Sequence, residues 1–250
     1  MSELTGFTID GRVARITLRR EEKRNALSLD LIDALRARVG EADADENVSV
    51  CVITGAGRSF CAGMDLKAVL DEPGAPEQLL SRIAELTIEL RRMRAVTVAR
   101  VNGAAIGGGC GIVSVCDVAI THESAKLGFP EVDLGVCPAV VTPWLVQRIG
   151  AGRARATLLM GGTMRGQEAA RVGLVSRCVA DKELDTAVEK AVDRLASAGP
   201  TALRATKGLL NELDGDRIAS DVRKGATLSA EVVDGEEARS MLAKVYGGEK

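Results

Sequence analysis

Two rhythms alternate along this chain. Short apolar runs give way to longer stretches with apolar residues three and four apart, the spacing of a helix buried on one face. Residues 7–10 and 12–18 read as strands joined at Asp10-Gly11, a dipeptide that favours a hairpin turn. Residues 28–39 carry apolar side chains at 29, 31, 32, 35 and 39, with Ser28 placed to cap the helix they predict. Residues 49–54 form an apolar run, as a strand covered on both faces would, and 55–63 read as a turn-rich loop. The pattern then predicts a helix over 78–93, a strand over 96–105 and a helix over 108–116. Short strands follow at 118–121 and 126–129, helices at 140–149 and 153–160, and a strand at 174–179. From residue 182 onward nearly everything is helical, over 182–198, 201–213 and 218–242.

The fold class is therefore α/β. Residues 1–180 repeat a strand–strand–helix unit, and residues 181–250 form a C-terminal helical region of the same folding unit. No stretch rich in Pro, Gly or Ser separates them. A helical tail of this kind packs on its own domain or on a partner subunit, and the pattern leaves both open.

Composition narrows the function. Of the 250 residues, 46% are hydrophobic but only 2% aromatic, so the core is aliphatic and base-stacking surfaces for single strands are disfavoured. A net charge of −2 supplies no global field to draw nucleic acid or an anionic membrane, so neither partner is expected. No apolar run reaches the roughly 18–20 residues of a membrane span, and the first residues lack a signal-peptide pattern. A cytoplasmic location follows as the expectation. Cysteines at 51, 61, 110, 116, 137 and 178 form no CxxC pair and His122 is the single histidine, so no metal site is expected and the thiols read as small apolar residues.

The chemistry concentrates in residues 101–117, VNGAAIGGGCGIVSVCD. An apolar run ends in Gly107, Gly108 and Gly109 and resumes in a helical pattern. A helix starting there presents unpaired N–H groups and the positive end of its dipole, which together hold a negatively charged oxygen. Downstream, Glu131 follows Pro130 at the end of an apolar strand pattern, which taken alone reads as a surface carboxylate after a strand. Asp133 would share its face if that stretch is extended. His122 reads as a surface turn, Trp144 as core or acyl-pocket lining, and Arg91-Arg92-Met93-Arg94 as a solvated helix end.

Four motifs in order carry a resemblance. They are REEKRNALS at 20–28, ITGAGRSFCAGMDL at 53–66, the Gly107–Gly109 segment ending in Cys116-Asp117, and LGFPEVDLG at 127–135. Together they resemble the crotonase, or enoyl-CoA hydratase/isomerase, superfamily. The resemblance implies a ββα spiral, a C-terminal helical region making trimer contacts in a homotrimer or hexamer, and an acyl-CoA thioester as ligand. Coenzyme A arrives as part of the substrate and no separate cofactor is implied. The backbone N–H groups of Ala62 and Gly108 are expected to hold the thioester oxygen, with Glu131 as the proton-transferring side chain. Lys23, Arg24, Ala26, Ala62, Gly63, Met64, Asp65 and Gly108 are expected to border the bound acyl-CoA, with Lys23 and Arg24 facing phosphates and Asp65 either orienting the adenine end or capping the next helix. Lys244 and Tyr246 are placed to meet coenzyme A from a neighbouring subunit.

One departure matters. Two-glutamate hydratases of this family carry a second carboxylate where this chain has Gly111. The segment PAVVTP at 138–143 resembles hydratases acting on branched or carboxylated enoyl-CoAs. The expectation is thus an enoyl-CoA hydratase with a single glutamate. A Δ3–Δ2 enoyl-CoA isomerase, a decarboxylase and a non-catalytic acyl-CoA- or RNA-binding relative remain as alternatives.

Overall fold

The computed structural model describes residues 4–66, 74–215 and 217–246. The chain opens with the antiparallel pair β1 (Thr5–Asp10) and β2 (Val13–Leu18). Ser28 accepts the Leu31 N–H and starts α1 (Leu29–Ala44), whose Leu31, Ile32, Leu35 and Val39 are buried. β3 (Val50–Gly55) is covered on both faces, the condition its Val/Ile run anticipates. Within the expected loop over 55–63 lies a further short strand, β4 (Ser59–Cys61). α2 (Ala75–Arg92) follows.

The strand expected over 96–105 is two strands in two different sheets, β5 (Val96–Val101) and β6 (Ala104–Ile106). Asn102 makes the step between them. Its side chain accepts from Thr54 Oγ1 at 3.0 Å and the Gly55 N–H at 3.1 Å, and donates to Gly57 O at 3.0 Å. Next come α3 (Gly108–Val115), β7 (Val118–His122) and β8 (Lys126–Gly128), then a 3-10 turn over Pro130–Leu134. After these come α4 (Thr142–Ile149), α5 (Ala151–Met160), β9 (Thr163–Arg165), α6 (Gly166–Val172) and β10 (Arg177–Val179). The C-terminal helices are α7 (Leu184–Ala196), α8 (Pro200–Asp214), α9 (Arg217–Asp234) and α10 (Glu236–Tyr246). The helix expected over 218–242 is thus broken at Gly235, which has the lowest helix propensity after proline.

Two sheets result, ordered β1-β2-β3-β5-β7-β10 and β4-β6-β8-β9. The pairs β2–β3, β3–β5, β5–β7 and β7–β10 are parallel, and so are β4–β6 and β6–β8. After β1 and β2, successive turns lay one strand (β3, β5, β7) in the large sheet and the next (β4, β6, β8) in the small one, so the repeat winds as a ββα spiral. Val50, Val52, Val98 and Ile120 on one face of the large sheet pack under Leu184 and Val188 of α7. The other face carries the main core with α1, α2 and α3.

α9 and α10 fold back on their own chain. α9 packs along α2, while Val233 and Leu242 bury Val136 beside the 3-10 turn. Asp117 anchors α8. It accepts the Thr97 N–H at 2.7 Å and pairs with Lys207 Nζ at 2.7 Å, and the Lys207 side chain is only 6% exposed.

Candidate active site

The three parallel strands β4, β6 and β8 are neighbours in the small sheet. Their C-terminal ends deliver three loops to one place, the usual ligand position at the edge of parallel strands. These loops are Ala62–Gly63–Met64 after β4, Gly107–Gly108 after β6, and the Pro130–Leu134 turn after β8. They line a cavity of about 170 Å³. Residues more than sixty positions apart meet there because their strands are adjacent, which spacing alone does not reveal.

Gly107 has φ +52°, and a Cβ on it would lie 2.7 Å from Glu131 Oε1. Glycine is needed there both for the left-handed backbone and for the carboxyl's close approach. Its own N–H donates to Gly128 O at 2.9 Å. Gly108 begins α3, so its N–H has no acceptor within the helix. A Cβ on Gly63 would lie 2.7 Å from Ile106 O and 3.7 Å from the Gly108 nitrogen, which sets the two loops in direct contact.

The expected second donor is corrected by the hydrogen bonding. The Ala62 N–H donates to Arg24 O at 3.0 Å and is not available to a ligand. The chain then pairs with Leu27, whose N–H donates to Gly63 O at 2.7 Å and whose carbonyl accepts from Asp65 N–H at 3.0 Å. In a parallel bridge of this kind the residue opposite, Met64, turns its own N–H away from Leu27. That side faces β6 and Gly108, and among the described residues the Met64 N–H has no acceptor. Gly63 approaches Ile106 and Gly108, so the Met64 and Gly108 amides sit on adjoining loops.

Glu131 lines the same cavity. Its Oε2 is buried without a hydrogen-bond partner. Burial raises its pKa from 4.5 to about 7; its own backbone amide opposes the rise, and the nearby Asp133 carboxylate adds to it. A carboxyl in that range exists in both protonation states near neutral pH, as a group that both takes and gives a proton requires. Asp133 does not join it. The stretch is a 3-10 turn and not extended, so Asp133 faces the other way and accepts the Gly162 N–H at 2.9 Å. At Gly111 a Cβ would meet Val141 Cγ1 at 2.5 Å. Val141 occupies the space that a second carboxylate would need.

The remaining expected residues fall into place around this centre. Lys23 and Arg24 have exposed side chains, and the Arg24 carbonyl is the one that holds Ala62. Ala26 uses its N–H on Lys23 O and its carbonyl on Arg20 Nη1, both at 3.0 Å. The same Arg20 atom pairs with Asp65 Oδ2 at 2.7 Å, so Asp65 ties the 62–65 loop to the segment around Ala26. The helix expected beyond Leu66 falls on residues 67–73, outside the described ones, as does the side chain of Tyr246; Lys244 is exposed on α10. His122 ends β7 and pairs with Asp181 at 2.9 Å. Trp144 is core, its Nε1–H donating to Thr87 Oγ1 at 3.0 Å.

Asn25 was legible only as part of a motif, yet it ties the segment before Ala26 to β4 and the turn ahead of it. Fully buried, with φ +57°, it accepts the Arg20 N–H at 3.0 Å and donates to Ala56 O at 3.0 Å and Ser59 O at 2.9 Å. Its type was the available signal, because asparagine tolerates the left-handed region. Among the described residues no cluster of His, Cys, Asp and Glu could hold a metal ion, and no helix is long and apolar enough to cross a membrane.

A ββα spiral whose strand ends gather a buried carboxyl and two glycine-rich loops around one cavity is the frame of this fold. The chain belongs to the enoyl-CoA hydratase/isomerase family, whose model matches residues 8–242. It is 36% identical over 214 residues to the 2,3-dehydroadipyl-CoA hydratase of Escherichia coli, covering 85% of this chain and 83% of that one. It is 34% identical over 210 residues to the crotonyl-CoA hydratase of Syntrophomonas wolfei, covering 80% and 78%. The crystal structure of an enoyl-CoA hydratase from Mycobacterium avium superposes with a TM-score of 0.88 at 29% identity, over 99% of this chain and 98% of that one.

Proposed function

We propose that this enzyme hydrates the 2,3 double bond of an enoyl-CoA thioester with one side chain, Glu131, doing the proton transfers. The Met64 and Gly108 N–H groups hold the thioester oxygen and stabilise the enolate more than the ground-state carbonyl. Glu131 as carboxylate takes a proton from water while the oxygen of that water bonds to C3. The electrons of the double bond move onto the thioester oxygen. Glu131, now protonated, returns a proton to C2 and the enolate collapses to the 3-hydroxyacyl thioester. The observation that carries this reading is the buried Glu131 carboxyl, its Oε2 without a partner, beside Gly107 in a cavity that Gly108 also lines.

Arg24 supports the placing of coenzyme A, because its exposed side chain leaves the backbone that holds the 62–64 loop. The carboxylated acyl group implied by the PAVVTP segment finds no support in the cavity, where Glu131 is the charged side chain among the described lining residues. Exposed apolar side chains at Met160, Leu209, Leu210 and Leu213 support assembly into a homotrimer or hexamer, which sedimentation measures.

The Val141 side chain in the place of a second carboxylate favours a second reading, Δ3–Δ2 isomerisation, which needs one base and no water. Crotonyl-CoA in ¹⁸O-water separates the two. Loss of enoyl-thioester absorbance with ¹⁸O in the product establishes hydration. Conversion of a 3-enoyl-CoA to the 2-enoyl isomer without label establishes isomerisation. Full turnover by Glu131→Gln refutes both.

A further inference from the structure

We propose that the cavity admits an uncharged acyl group of about six carbons and that the segment Cys137–Val140, clamped by Ser229 of α9, is the wall that sets this length. The inference rests on the acyl-CoA reading of the site and adds its substrate class. The cavity, about 170 Å³, is close in size to an engineered hydrocarbon-lined cavity of about 150 Å³ that admits benzene, a six-carbon guest. Apart from Glu131 its side-chain lining is apolar, with Leu80, Ile83, Leu134, Val136 and Val140 among it. A carboxylate on the acyl tail would be buried there opposite Glu131, with no cation among the described lining residues to offset it.

Cys137 and Pro138 line this cavity and also a second, apolar hollow of about 910 Å³ between α4, α5 and α9. Two residues therefore stand between this cavity and a larger, solvent-open hollow. The partition is held from behind. Ser229, fully buried, donates to Cys137 O at 2.7 Å and accepts from the N–H groups of Ala139 at 3.1 Å and Val140 at 3.3 Å. One turn earlier, Gly225 lets the α9 backbone touch Ala139, where any Cβ would collide with the carbonyl. A longer acyl chain has to displace Cys137 or Pro138 against these bonds, and close-packed walls resist even small additions.

The experiment measures kcat/KM for 2-enoyl-CoAs of four, six, ten and fourteen carbons and for glutaconyl-CoA, in the native enzyme, Cys137→Gly and Ser229→Ala. The native enzyme is expected to lose about tenfold or more between six and ten carbons, within the range by which apolar pockets discriminate, and about a hundredfold on glutaconyl-CoA relative to crotonyl-CoA. Both substitutions are expected to raise the ratio of ten-carbon to four-carbon kcat/KM by about tenfold. Loss of packing without a specificity role would lower all substrates alike and leave that ratio fixed. Equal native activity from four to fourteen carbons, or an unchanged ratio in both variants, overturns the proposal. Binding of butyryl-, hexanoyl- and decanoyl-CoA by calorimetry gives the same comparison without turnover. If no enoyl-CoA reacts, the functional reading fails, while equal affinity for all three saturated thioesters refutes the length reading by itself.

Discussion

Replacing Glu131 with glutamine should stabilise the protein at alkaline pH and leave it unchanged at acid pH. The structure buries Oε2 without a partner and lifts the carboxyl from 4.5 to about 7. In the unfolded chain the same group ionises near its ordinary value. Below about pH 4.5 it is neutral in both states and contributes nothing. Between about 4.5 and 7 the native state binds more protons than the unfolded one, so stability falls as pH rises. Above about 7 the penalty is complete, at most about 3 kcal/mol for a shift of this size. Glutamine keeps the shape and removes the charge. Thermal unfolding of the two proteins at equal concentration should coincide near pH 4.5 and diverge by pH 8.5, with Glu131→Gln melting about 6–12 °C higher for a chain of this length. On the role proposed for Glu131 the same substitution should abolish turnover, setting stability against activity. An equal melting difference at both pH values, or none at pH 8.5, refutes the claim that the carboxyl is held in a desolvated site.

The rate should carry the same titration. In the native enzyme kcat/KM rises with pH to a plateau above about 7, because Glu131 must be ionised to take a proton; a flat profile from pH 5 to 8 contradicts its role as base. Gly108→Pro removes one N–H at the first helical position, where proline is tolerated. It should leave circular dichroism native-like and lower kcat about 10²–10³-fold. Asp117→Ala leaves the buried Lys207 ammonium without its carboxylate, which should cost about 3 kcal/mol in urea unfolding.

The local pattern of the chain determined a good deal. β3 follows from its apolar run, α1 from its spacing and Ser28 cap, and the helix start that leaves the Gly108 amide free from glycines ahead of a helical pattern. These are short-range effects, set by side chains within a few positions of one another. Tertiary structure decided which donors and acceptors remained free. Ala62 and Met64 are two residues apart in one motif, yet a distant carbonyl, Arg24 O, consumes one amide and the Leu27 bridge turns the other outward. Asp133 left the site because its backbone coils after Pro130, and the run 96–105 divided because Asn102 is held by a neighbouring strand. Ser229, with nothing around it in sequence to mark it, clamps a wall ninety residues away. A hydrogen bond is committed by whatever partner the fold brings within reach, and that partner is not written beside the residue.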